Sequence, residues 1–291
     1  MATERRLMAV HAHPDDESSK GAGMMAKYAQ VGRVRVVTCT GGERGSILNP
    51  HFVPAYPDEP MTDIRRREMA QAAQALGIEH HWLGFVDSGL PDGYPDVELP
   101  GGCFAVQPLE IPVKALVSQI REFRPQVLTC YDERGGYPHP DHVRSHVVAM
   151  EAVRKAADPG LWPELGEAWQ VSKVYYDLTF NARRLRTLDR AIRRAGHESP
   201  YASLVSARED LPEAAPSARI NVGDFFPQRD AALRAHASQI DPEGFFFACP
   251  RDIEKENWPW EEFVLALSMV GEPSGIVDDL FARVPGVEHV P

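Results

Sequence analysis

Two clusters of side chains have the composition of a hydrolytic metal centre. The first, His11, Ala12, His13, Pro14, Asp15, Asp16 and Glu17, follows a short apolar run, and the second, YDERGGYPHPDH from Tyr131 to His142, follows another. A hydrolytic zinc site needs three protein ligands and one open position for water, and two imidazoles with one carboxylate meet that need while leaving the ion electrophilic. His13, Asp16 and His142 supply such a set. Water held by zinc has its pKa lowered to about 7, so a neighbouring carboxylate can take its proton near neutral pH. Asp15 is the candidate general base, because it adjoins a ligand yet is forced by chain geometry to point elsewhere.

Amide hydrolysis also needs a hydrogen-bond donor for the oxyanion and a proton for the leaving amine. His139 is placed for one or both duties. Asp141 is expected to hold its ring and keep it protonated, with Tyr137 donating to the oxyanion. Two histidines and a carboxylate also describe the facial triad of non-haem Fe(II) oxygenases. Those sites usually carry His and Asp two apart on an all-β scaffold, whereas this sequence alternates strands with helices and has a spare aspartate to act as base.

The elements that must position these residues alternate in type. Short β-rich runs at Leu7 to Val10, Val34 to Thr38, His80 to Leu83 and Gln126 to Cys130 are separated by helical patterns at about Ser18 to Gln30, Thr62 to Leu76 and Leu109 to Phe123, with a further helix from about Asp141 to Ala157. Strands separated by helices of this length predict crossovers and a parallel sheet. The expected fold class is therefore α/β, a Rossmann-like mostly parallel sheet flanked by helices. Ligands bind beyond the carboxyl ends of such strands, where both clusters lie. If the strands before the two clusters are near neighbours, their loops converge on one spot.

The loop from Val86 to Pro108 is long and rich in Pro and Gly, and is expected to form a wall of the pocket. After Val171 the pattern weakens to a strand at Val174 to Leu178, a very basic helix at Ala182 to Arg194 and Pro-punctuated segments. Residues 1–170 are read as the metal-binding core, and 171–291 as a less regular portion that completes the fold and caps the substrate pocket.

The chain has 291 residues and a formal net charge of −11, which repels polyanions and argues against nucleic acid or anionic lipid as partner. No stretch reaches the roughly 18 apolar residues of a membrane span, so the expected location is cytoplasmic and no membrane partner is expected. Cys39, Cys103, Cys130 and Cys249 lack paired spacing, against both a zinc ribbon and a disulfide framework. No G-x-G-x-x-G follows the first strand, which removes a dinucleotide-binding dehydrogenase.

At its two clusters the sequence resembles the PIG-L/LmbE-type N-deacetylase family, whose AHPDD and HPDH signatures stand here as Ala12 to Asp16 and His139 to His142. The resemblance implies a metal, Zn2+ with Fe2+ as the other possibility, on His13, Asp16 and His142, with Asp15 as base and Tyr137, His139 and Asp141 supporting the transition state. Further blocks, HAHPDDESSKG from His11, GGERGSILNP from Gly41, WLGFVDSGLP from Trp82 and QIDPEGFFF from Gln239, look like the branch of that family acting on mycothiol S-conjugates. That likeness implies a small-molecule substrate cleaved into glucosaminyl-inositol and a mercapturic acid, in detoxification or in thiol-dependent natural-product (antibiotic) biosynthesis. The alternative is deacetylation of N-acetylglucosaminyl-inositol. Lys20 favours the amidase branch, and Glu43, Arg65 and Asp87 match family positions that contact glucosamine and inositol hydroxyls. Ser46 stands where a glutamate is expected, and Ser238 where a basic residue is.

Overall fold

The computed structural model describes residues 3–207, 214–271 and 274–289. Its first half runs β1 (Arg5–His11), α1 (Asp16–Ser19), α2 (Ala22–Ala29), β2 (Gly32–Thr40), α3 (Met61–Leu76), β3 (Glu79–Phe85), α4 (Glu110–Phe123), β4 (Val127–Cys130) and α5 (Pro140–Ala156). The second half adds β5 (Lys173–Asp177), α6 (Ala182–Arg194), α7 (Ala202–Ala207), β6 (Ala218–Asn221), α8 (Phe226–Ala235), α9 (Arg251–Asn257) and β7 (Trp260–Ser268). The strands form one seven-stranded sheet in the order β3-β2-β1-β4-β5-β7-β6. Its first five strands pair in parallel, while β7 runs antiparallel to both β5 and β6.

β1 is buried on both faces, and its side chains alternate between two cores. Met8 and Val10 pack with Val113, Leu116 and Val148 from α4 and α5, while Leu7 and Ala9 pack with Met24, Met25 and Tyr28 from α2. Each large aliphatic side chain buried this way contributes roughly 1.5–3 kcal/mol relative to exposure. The second core also takes in Ile220, Phe263 and Phe281, so the C-terminal residues share an apolar layer with the N-terminal ones.

The strand order reverses between β1 and β4: β2 and β3 lie to one side, β5 to the other. Such a switch point leaves a crevice beyond the carboxyl ends of the two strands. β1 and β4 are direct neighbours, pairing Leu7 with Val127 through Ala9 with Thr129. The two polar clusters therefore emerge side by side.

Two features depart from the sequence reading. The helix expected over Ser18 to Gln30 is two helices, broken where Gly21 adopts a φ of 78°. The antiparallel strands β6 and β7 went unrecognised among the proline-punctuated C-terminal segments. Among the described residues no helix is long and apolar enough to cross a membrane.

Candidate metal centre and cavity

The turn after β1 is strained and then held in place. Asp15 has a φ of 106°, a left-handed value that costs a residue with a side chain on the order of 1–3 kcal/mol. Its N–H donates to Glu17 Oε2 at 2.9 Å, and its carbonyl accepts from the N–H groups of Ser18 and Ser19 at 3.1 Å each. Glu17 is anchored in turn by His236, whose Nε2 lies 2.6 Å from Glu17 Oε1, with both side chains fully buried. Burial would raise the Glu17 carboxyl, but the His236 charge overrides it and holds the group down to about 2.

Asp16 is where the two clusters meet. Its Oδ2 lies 3.6 Å from His13 Nδ1 and 3.4 Å from His142 Nε2. An ion bonded tetrahedrally at about 2.0–2.2 Å sets its ligand atoms roughly 3.4 Å apart, so both separations suit a shared cation. Oδ2 also accepts from Tyr131 Oη at 2.6 Å, and Oδ1 lies 2.6 Å from Lys20 Nζ. Against a burial penalty that would raise it, the charges of His142 and Lys20 and the His13 hydrogen bond hold the Asp16 carboxyl well below its ordinary range.

Each imidazole is oriented by a second partner. His142 Nδ1 lies 2.9 Å from the Gly135 carbonyl and carries the proton, which leaves the buried Nε2 as a lone pair with no hydrogen-bond partner among the described residues. That approach needs glycine: a Cβ on Gly135 would sit 2.6 Å from His142 Cβ. Burial pushes the His142 imidazole down to about 3, keeping it neutral. His13 Nε2 faces Asp141 Oδ2 at 3.2 Å and Asp87 Oδ1 at 3.5 Å, so Nδ1 is the nitrogen turned to Asp16. Burial disfavours charge on His13, yet hydrogen bonds to Asp141, Asp16 and Asp87 raise its pKa well above normal. Three carboxylates around one imidazole make a neighbourhood that favours positive charge. The orphaned Nε2 of His142 and this donor set fit a divalent cation.

Two sets of potential ligand atoms lie within 4.8 Å of one another, His13 with His139 and His142, and His13 with Asp87 and Asp141. The second set is the outer shell of carboxylates on His13 Nε2. In the first, His139 Nδ1 accepts the backbone N–H of Asp141 at 3.1 Å. Its remaining nitrogen therefore bears hydrogen and is suited to donation rather than ligation.

The expected pairing of Asp141 with the His139 ring is corrected here. The Asp141 carboxylate accepts from the Ser88 N–H at 2.9 Å and from the Ser88 hydroxyl, and faces His13. Burial and the neighbouring His13 push the His139 imidazole down to about 4. Pro140 opens α5 after the capping His139, whose ring accepts the Asp141 N–H while the Asp141 carboxylate turns to Ser88 and His13.

Asp15 Oδ2 lies 3.1 Å from Arg65 Nη2, and Arg65 Nη2 also donates to the Pro14 carbonyl. Arg65 Nε and Nη1 and Glu43 Oε2 are buried without hydrogen-bond partners among the described residues. Asp87 accepts from the N–H groups of Gly89 at 2.8 Å and Arg44 at 3.1 Å, so loop donors occupy a carboxylate expected to contact hydroxyls. Glu43 Oε1 in turn accepts the Asp87 N–H at 2.9 Å. Ser238 donates its N–H and hydroxyl to Glu68 at 2.6 and 2.9 Å, a carboxylate that a basic residue there would otherwise pair.

A cavity of about 750 Å3 opens beside Asp15, Asp16 and Lys20. Tyr137, about half exposed, stands in its wall with its ring 4.6 Å from that of His142. Phe180, Ile240 and Phe246 also line it. Tyr131 is a site residue that sequence reasoning quoted without a role. Its hydroxyl bridges Asp16 and the Ala12 N–H, and its ring stacks on His142 at 4.4 Å. The signal was its place directly after β4, the strand paired to β1.

The PIG-L family, described as GlcNAc-PI de-N-acetylase, matches residues 8–153. A mycothiol S-conjugate amidase from Streptomyces coelicolor is 52% identical, covering 98% of this chain and 99% of its own. A 1D-myo-inositol 2-acetamido-2-deoxy-alpha-D-glucopyranoside deacetylase from Geodermatophilus obscurus is 40% identical over 98% of this chain and 100% of its own. Among solved structures, N,N'-diacetylchitobiose deacetylase from Pyrococcus horikoshii superposes with a TM-score of 0.57 at 19% identity, covering 90% of this chain and 83% of that one. At that identity the likeness concerns the fold alone.

Proposed function

Because this chain belongs to the PIG-L family of GlcNAc-PI de-N-acetylases, we propose that it is a zinc-dependent amidase that hydrolyses mycothiol S-conjugates to glucosaminyl-inositol and an N-acetylcysteine S-conjugate. The observation that carries this reading is the sharing of Asp16 Oδ2 by His13 Nδ1 at 3.6 Å and His142 Nε2 at 3.4 Å. Identity of 52% to the amidase against 40% to the deacetylase favours the larger conjugate, as does a cavity of about 750 Å3 with Lys20 in its wall.

His13, Asp16 and His142 would hold the ion, Zn2+ or alternatively Fe2+, which when bound polarises the amide carbonyl and acidifies water. Asp15, fixed by Arg65, takes a proton from the attacking water and returns it to the leaving nitrogen, so that a neutral amine departs from a carboxylic acid, whose remaining proton then passes to Asp15 and on to solvent to leave the carboxylate. His139, with Nδ1 accepting a backbone N–H, donates from Nε2 to the oxyanion, and Tyr137 adds a second donor. Asp141 and Tyr131 position His13 and Asp16. Glu43, Arg65 and Asp87 bind the hydroxyls of the amine half, where charge-assisted hydrogen bonds suit a polyol. Residues beyond 170, Phe180 and Phe246 among them, roof the pocket, and the enzyme works in the cytoplasm.

The test is a comparison of kcat/KM for a mycothiol thioether and for N-acetylglucosaminyl-inositol, with metal content measured on the same anaerobic sample. Preference for the thioether supports the reading. Strong preference for the acetylated sugar would make the protein the biosynthetic deacetylase instead.

A further inference from the structure

Asp177 ends β5 and lines the cavity, and neither of its buried carboxylate oxygens has a hydrogen-bond partner among the described residues. A carboxyl group desolvated this way costs free energy unless something pairs with it, and such a group in a native structure calls for a reason. Burial pushes it up to about 8, with Lys20 as the charge that opposes the rise. Lys20 does not satisfy it: its amine is drawn to Asp16 Oδ1 at 2.6 Å and Ser19 Oγ at 3.2 Å and makes no hydrogen bond to Asp177. Its nearest protein neighbours offer no side-chain donor: Gly21 has no side chain, with a built Cβ falling 3.7 Å from Asp177 Oδ1, and the residue in register on β7 is Phe263. A donor must therefore come from the cavity side.

Strand order says which part of a substrate brings it. Glu43 follows β2 and Asp87 follows β3, on one side of the β1 and β4 pair that carries the metal-ligand candidates; Asp177 stands on the other side, on β5. An amide spanning the centre with its polyol amine over β2 and β3 directs its acyl half toward β5. We propose that Asp177 is a specificity residue that accepts the N–H of an acylamino group on the acyl half of the substrate, a reading that rests on the amidase function above. Phe180 and Phe246, in the same wall, then face the apolar thioether substituent.

The experiment compares two amides of glucosaminyl-inositol, one acylated by N-acetyl-S-benzylcysteine and one by 3-(benzylthio)propanoate, which lacks only the acetamido group. A buried substrate donor left without its acceptor corresponds to a fall of about 10- to 100-fold. Asp177→Ala should lower kcat/KM for the first amide by that factor and leave the second within about twofold, with Asp177→Asn, which keeps an acceptor oxygen, in between. Asp177→Ala should also weaken binding of free N-acetyl-S-benzylcysteine by calorimetry, while its melting temperature is unchanged or higher because an unpaired buried group is removed. Equal loss on both amides, or loss on neither, overturns the inference alone. A wild-type enzyme that cleaves neither amide overturns the functional reading and the inference with it.

Discussion

Asp141 Oδ2 lies 3.2 Å from His13 Nε2 across 128 positions of sequence. That contact joins the loop after β4 to the loop after β1 and decides which nitrogen of His13 turns to Asp16. The Ser88 N–H donates to the same Oδ2, and the Ser88 hydroxyl to Oδ1. Three loops over three strands thus set one imidazole.

Asp141→Asn should weaken metal binding rather than remove it. Outer-shell partners of metal-bound histidine are typically worth about 10- to 100-fold in affinity. Competition against a chromogenic chelator measures this. Unchanged affinity would mean that the Asp141 contact does not orient His13.

Asp15→Ala should lower kcat by about a hundred- to ten-thousandfold, the usual worth of a positioned base. Stoichiometric zinc should remain, since Asp15 faces Arg65 rather than the ligand atoms. Loss of metal together with activity would make Asp15 a ligand and return the base to another residue.

Tyr131→Phe leaves the buried Ala12 N–H without its 2.8 Å acceptor and removes a donor from Asp16. An unsatisfied buried group of this kind costs about 1–3 kcal/mol. Urea unfolding should show that loss, with kcat/KM falling as well because Asp16 shifts. A variant as stable and active as wild type would deny the bridge any role.

How much of this was legible in the sequence follows from the same residues. His13, Asp16 and His142 could be read because ligand type and spacing are local, and the strand before each cluster was apolar enough to recognise. The partner of Asp141 could not, because a side chain's direction at a helix start depends on Pro140 and on a rotamer that Ser88, 53 positions away, helps to fix. β7 escaped because its length of 9 residues carries mostly half-buried side chains and no clean alternation. The break at Gly21 was open to reading, since Ser18, Ser19, Gly21 and Gly23 are weak helix formers, but the apolar residues from Ala22 onward carried the helical pattern across it.

Acid should destabilise the protein through a cluster far from the chemistry. Glu254 is buried and paired with Arg184, Arg229 and Arg251 at 2.8 to 2.9 Å. Burial alone would raise its carboxyl, but the arginines hold it at about 2 against an ordinary 4.5. A depressed carboxyl contributes stability fully above its unfolded pKa and loses it as pH falls from 4.5 toward 2, here about 3 kcal/mol. Denaturation of wild type and Glu254→Gln across that range should give a shallower slope for the variant; parallel slopes would contradict the assignment.

The most direct test of the central claim is anomalous diffraction at the zinc edge from crystals of the zinc-loaded protein. One peak is expected within about 2.0–2.2 Å of His13 Nδ1, Asp16 Oδ2 and His142 Nε2. A peak ligated through His139 with Asp16 left aside, or no peak where β1 and β4 meet, would contradict it.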